Sequence, residues 1–217
     1  MRSNNEVNRR LHTVAETQAG FFTAKQAKNA GFSASSHTYH VQAGHWVREY
    51  RGIYRLTGFP AALYPELTRW HLWAMDRAGS AQGVYSYSTA LDLYLRQEKP
   101  PDLHMTVPKS FRRMGETPEG LTLHRADLPE SDIAVRNGYR LTTPLRTILD
   151  LATGDLAAGD LATGDFATAN TMPRAELSKA LFGMVERRLI TRSQVKSARI
   201  PEASRLELEG LLAWKKR

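Results

Sequence analysis

TAKQAKNAGFSASSHTYHVQAGHWVREYRGIYRL, residues 23–56, decides the reading of the chain. Thr23 and Gln26 have the spacing of a capping box, in which the hydroxyl and the amide each satisfy a backbone N–H left open at a helix start. The helix that begins here is short. Gly31 supplies the left-handed residue that ends it, and Ser33 is suited to cap a second helix directly afterwards. Gly44 stops that second helix. Two β-prone runs follow, residues 46–49 and 53–56, turning back on each other at Arg51-Gly52. Helix, turn, helix and hairpin together spell a winged helix-turn-helix, whose second helix lies in a DNA major groove.

The second helix can be oriented by its 100° per residue, since its apolar side faces the core. With Val41 inward, Ala34, His37 and Gly44 also turn inward. Ser35, Ser36, Tyr39 and Gln42 project outward, and Thr38 and His40 lie on the flanks. A face of hydroxyls, a phenol and an amide without a carboxylate suits base edges and phosphates, because glutamine can bond adenine twice and serine and threonine bond either partner. Taken alone it would be a plain solvated face. With Ser33, these side chains form the candidate DNA-reading set; Lys25 and Lys28 on the preceding helix are phosphate contacts or an ordinary solvated face. In the wing, Arg48, Arg51 and Arg55 can reach phosphates or the minor groove. Glu49 works against that and is expected to pair with a neighbouring arginine. His37 has no second metal-type ligand at helical spacing on its face and is expected in the core.

Upstream, Val7, Leu11, Val14 and Ala15 draw the apolar stripe of a first helix, and Phe21 and Phe22 are expected as core aromatics at the next joint. Charge follows the same division. Residues 1–57 hold eight Lys/Arg against three acids, whereas the rest holds twenty-two against nineteen, so most of the formal +8 sits on the winged helix. That balance and a pI near 9.9 favour a polyanionic partner. The absence of cysteine excludes disulfides, thiolate metal sites and a cysteine nucleophile. With no long apolar run and no signal-peptide core, no membrane contact is expected, and the expected location is the cytoplasm.

The remainder reads as α+β. After a short linker, TGFPAA at 57–62, a helix is expected over 65–78, then a strand end running into a helix from Ser88. Strands are expected at 104–107 and 121–124, and a hairpin at Asn137-Gly138. Thr143-Pro144 opens a helix through Leu151, and further helices are expected at 173–188 and 193–198. Between them, residues 151–170 carry a five-residue stutter (LATGD, LAAGD, LATGD, FATAN), too short for a stacked solenoid and expected as a low-complexity insertion. The expected domains are 1–57, the winged helix, and 58–217. No H-x-x-x-H, G-x-S-x-G, Walker or D…E-x-K arrangement appears, so no catalytic residue, metal site or cofactor is expected. Arg146 and Asp150, spaced i to i+4, are expected as a helix-face ion pair.

At these residues the chain resembles the AbiEi family of antitoxins from bacterial toxin-antitoxin and phage-abortive systems. GFSASS, Gly44, RGIYRL, YSYSTAL, PPDLHMTVP and LTTPLRTILDLA carry the resemblance, over roughly residues 13–152 and again in the last helices; the stutter departs from the family pattern. It implies an antitoxin that represses its own promoter by binding duplex DNA through the winged helix. It also implies that the C-terminal domain counters a nucleotidyltransferase toxin, directly or indirectly. The alternative is a DNA-processing, nuclease-like enzyme that uses the winged helix to dock. The absence of an acidic metal-binding motif disfavours it, and too few residues follow Ala198 for the nuclease-like domain of some relatives.

Overall fold

The computed structural model describes residues 4–60, 62–95, 100, 102–113, 116–153, 172–198 and 202–213. Residues 154–170 of the five-residue stutter and the basic tail at 214–217 lie outside them. The chain divides into two units, one of residues 1–83 with 135–140 and one of residues 84–134 with 141–217.

The first unit runs α1 (Asn4–Glu16), β1 (Phe21–Thr23), α2 (Ala24–Ala30), α3 (Ser36–Gln42), β2 (Trp46–Tyr50), β3 (Ile53–Leu56) and α4 (Pro65–Trp73). Both arms of the expected capping box are present. Gln26 N–H donates to Thr23 Oγ1 at 3.1 Å and Thr23 N–H to Gln26 Oε1 at 2.7 Å. Gly31, at φ +123°, ends α2 as expected. β1, β3 and β2 form an antiparallel sheet in that order. Phe21 and Phe22 are therefore strand residues as well as core, both fully buried. The helix-strand-helix-helix-hairpin order is that of a winged helix-turn-helix.

Its core gathers Val7, Leu11 and Ala15 from α1 with Phe22, Ala27, Phe32, Trp46 and Leu56. Phe59, from the segment expected as a linker, packs on the same core. Two further expectations are corrected. Ala34 and Gly44 are exposed, because each lies beyond an end of α3 rather than on its buried arc. The helix from Pro65 stops at Trp73, not at 78: the chain bends through an Asp76–Gly79 turn, and Met75 bridges to Ala81.

The second unit contains β4 (Val84–Tyr85), α5 (Tyr87–Leu95), β5 (Leu103–Val107) and β6 (Leu121–Arg125). β7 (Ile133–Arg136) and β8 (Tyr139–Thr142) follow, with their hairpin tip in the first unit. Then come α6 (Pro144–Thr153), α7 (Arg174–Glu186), α8 (Arg192–Lys196) and α9 (Glu202–Ala213). The sheet order is β6-β5-β4-β8-β7, with β5–β6 and β4–β8 parallel and β4–β5 antiparallel. Helices and sheet are mixed, the α+β class expected. An apolar core joins Leu91, Ile148, Leu151, Leu181 and Met184 to Val195, Leu208 and Leu211. Leu208 and Leu211 come from α9, a helix beyond those expected at 173–188 and 193–198.

Arg146 is half-buried between two carboxylates, donating from Nε to Asp150 at 2.6 Å and from NH1 to Asp132 at 2.9 Å. Burial opposes its charge, yet the two carboxylates hold its pKa above the ordinary arginine value. The expected ion pair is thus a triad that ties the start of α6 to the β7 approach.

Candidate nucleic-acid interface

Trp46, 3% exposed, sets the position of α3. Its indole meets Phe22 edge-on at 4.9 Å and Phe32 at 5.0 Å, touches His37 at 5.4 Å, and stacks on His40 at 4.6 Å with the planes 16° apart. His37 is buried as expected, between Trp46 and Tyr54, and its Nε2 has no hydrogen-bond partner among the described residues. Burial lowers the His37 pKa. An uncharged imidazole there acts as a flat apolar filler. Sequence reading missed Trp46 as the hub, although the eight aromatic or imidazole rings within residues 32–54 were its signal.

With His37 and Val41 turned inward, Ser35, Thr38, Tyr39 and Gln42 are exposed, and Tyr39 presents 61% of its surface. Thr38, Tyr39 and Gln42 make no side-chain hydrogen bond or ion pair to another described residue, so their polar groups are available to a ligand. The serines are partly used in building the helix start. Ser33 Oγ accepts from Ser36 N–H at 3.2 Å and lies 3.0 Å from Ser35 Oγ, and Ser36 donates its hydroxyl to Ser33 O at 2.8 Å. Ser33 is thus the functional cap, while half-buried Ser36 faces outward less than its helical angle suggests.

In the wing, Arg48 and Arg51 are exposed and unpaired among the described residues. Arg55 differs. Its Nε donates to Glu49 Oε1 at 2.8 Å, and its guanidinium lies over the Phe21 ring at 5.9 Å. Glu49 pairs with a neighbouring arginine as expected, and takes a second, Arg69 of α4, at 2.8 Å on Oε2. A β-bulge puts it there: the register passes from Arg48 opposite Tyr54 to Tyr50 opposite Ile53, leaving Glu49 unopposed. The one carboxylate of the wing is thereby neutralised twice over. On α2, Lys28 is exposed, and exposed Lys25 donates to the Arg77 carbonyl.

The arrangement offers neutral donors and acceptors on α3 flanked by free cations on β2 and its turn. Base edges are read by the first kind of group and phosphates are held by the second. Among the described residues, no three His, Asp or Glu side chains are placed to hold a metal ion together, and no helix is long and apolar enough to cross a membrane.

No curated protein matches the chain. Among solved structures, the RV2827C protein from Mycobacterium tuberculosis is similar in fold, with a TM-score of 0.53 at 16% identity over 97% of this chain and 78% of that one. Residues 9–57, from within α1 through β3, match the family model described as a transcriptional regulator, AbiEi antitoxin. The winged-helix segment of this chain is therefore similar to the AbiEi antitoxin family of transcriptional regulators.

Proposed function

We propose that the protein is a cytoplasmic, non-enzymatic antitoxin that binds duplex DNA at its own promoter and represses a toxin-antitoxin operon. Sequence is read by Tyr39 and Gln42, with Ser33, Ser35, Ser36 and Thr38 beside them. Arg48 and Arg51, with Lys25 and Lys28, hold the phosphates. The observation that carries this reading is the exposed, carboxylate-free row Thr38, Tyr39 and Gln42 beside two unpaired arginines, within a module matched to transcriptional regulators. Arg55 takes a supporting part, since Glu49 already holds its guanidinium. The α+β remainder counters a nucleotidyltransferase toxin; support for this comes from the resemblance in YSYSTAL and LTTPLRTILDLA.

A mobility-shift titration on the DNA upstream of the gene tests the reading. Affinity is expected to fall with salt at a log–log slope of about 0.9 per phosphate neutralised. Absence of binding to that DNA at low salt rules the proposal out. For the toxin, the test is co-expression with a nucleotidyltransferase encoded beside the gene, and unchanged toxicity rules out that half.

A further inference from the structure

His40 lies in the last turn of α3 and His45 follows its Gly44 stop, and their two Nδ1 atoms face each other at 3.2 Å. Two neutral imidazoles cannot both point a lone pair at the other, so one Nδ1 must carry a proton that the other accepts. The same two lone pairs fit another occupant. Two nitrogens each 2.0–2.1 Å from a tetrahedral Zn2+ lie about 3.3 Å apart. The observed separation is that of two adjacent ligands of one ion.

The backbone builds this spacing before any ion arrives. Gly44, at φ +72°, reverses the chain, and His45 N–H donates to the His40 carbonyl at 3.0 Å, closing the loop that carries both rings. The His45 carbonyl accepts from Thr57 N–H at 3.0 Å, and Thr57 Oγ1 donates to the Gly44 carbonyl at 2.6 Å, which anchors the same loop to the end of β3. The His40 ring is clamped between Trp46, at 4.6 Å, and the edge of Phe32, at 5.0 Å. His45 is exposed, so the ion's other positions open to water.

We propose that His40 and His45 chelate a borderline transition-metal dication, such as Zn2+, through their Nδ1 atoms, each imidazole keeping its proton on Nε2. Metal ligation requires both rings in the neutral form. With two protein ligands the site is exchangeable and does not need the three-residue cluster of a structural or catalytic centre.

The test is a Zn2+ titration of the full-length metal-free protein without DNA, so its outcome does not depend on the DNA-binding reading. Two variants decide it: His45→Ala, at an exposed position, and His40→Phe, which keeps a ring on Trp46. His104→Phe is the control, because His104 and His124 form a second imidazole pair, with 3.0 Å between Nδ1 and Nε2. One Zn2+ is expected to bind, weakened about tenfold or more in His45→Ala and in His40→Phe, at least the loss seen when only a ligand's outer-shell partner is removed. His104→Phe is expected to leave that affinity unchanged. Imidazole 15N spectra are expected to show Zn2+ shifting Nδ1 resonances that are absent in His45→Ala. No saturable uptake, or uptake that persists in His45→Ala and is lost in His104→Phe, overturns the assignment.

Discussion

Gln42 and Arg51 are both exposed and unpaired, yet their chemistry divides them. An amide discriminates between base edges; a lone guanidinium on a turn meets the phosphate common to every sequence. Gln42→Ala is expected to cost about 1–3 kcal/mol on the operator and little on random duplex, while Arg51→Ala weakens both alike. Competition mobility shifts on the two DNAs check this, and equal losses for both variants contradict the orientation of α3. A different residue governs pH. Burial first, and then the charge of Arg140, lowers His71 from 6.5 to about 4, and its Nδ1 has no hydrogen-bond partner among the described residues. The native state therefore stays neutral where the unfolded chain takes up a proton. This contribution to stability is present above the unfolded pKa near 6.5 and is lost as pH falls towards 4. His71→Leu lacks the titrating group. Between pH 7 and 5 the wild type is expected to lose about 2 kcal/mol more than this variant in urea unfolding, at 1.36 kcal/mol per pH unit. Parallel losses contradict the assignment.

Turns give the clearest view of what was legible in the elements. Asn137-Gly138 announced its hairpin, and both residues adopt positive φ, +50° and +83°. Thr23, Gln26 and Gly31 likewise fixed α2 from local chemistry alone. β1 escaped because three residues carry no periodicity; only its pairing with β3, thirty residues on, makes it a strand. The mixed order of the second sheet escaped for the same reason, since parallel neighbours share no turn. At the candidate site, exposure of Tyr39, Gln42, Arg48 and Arg51 followed from helical angle and hairpin position. The engagement of Arg55 did not, because it depends on a bulge at Glu49 and on Arg69 from a later helix. Two glycines separate local from non-local constraint by experiment. A Cβ on Gly44, at φ +72°, meets open space, so Gly44→Ala is expected to cost about 1–2 kcal/mol, the left-handed penalty. A Cβ on Gly138 comes within 2.5 Å of the Thr17 carbonyl oxygen, and Gly138→Ala is expected to cost more than Gly44→Ala in urea unfolding. Equal costs show that the Thr17 carbonyl yields freely.

Across the whole molecule, the charge excess and the module matched to regulators sit in the first unit, whereas most of the α+β body forms the second. The two activities proposed for the chain should then part by mutation without truncation. A full-length Arg48→Ala/Arg51→Ala variant is expected to lose repression of a promoter reporter at least tenfold while still protecting cells from the cognate toxin; loss of both together contradicts the division of labour. The composition of the first unit also bears on how the protein is made. Its core, from Val7 to Phe59, is complete once the winged helix has left the ribosome, but residues 135–140 belong to the same unit. At about 5–20 residues per second, they arrive several seconds after Gly83. During that interval the nascent chain carries a closed winged helix whose Thr17 surface has not yet met Gly138. A chain that stops short of residue 135 therefore contains every residue of its DNA-reading helix while its first unit is unfinished.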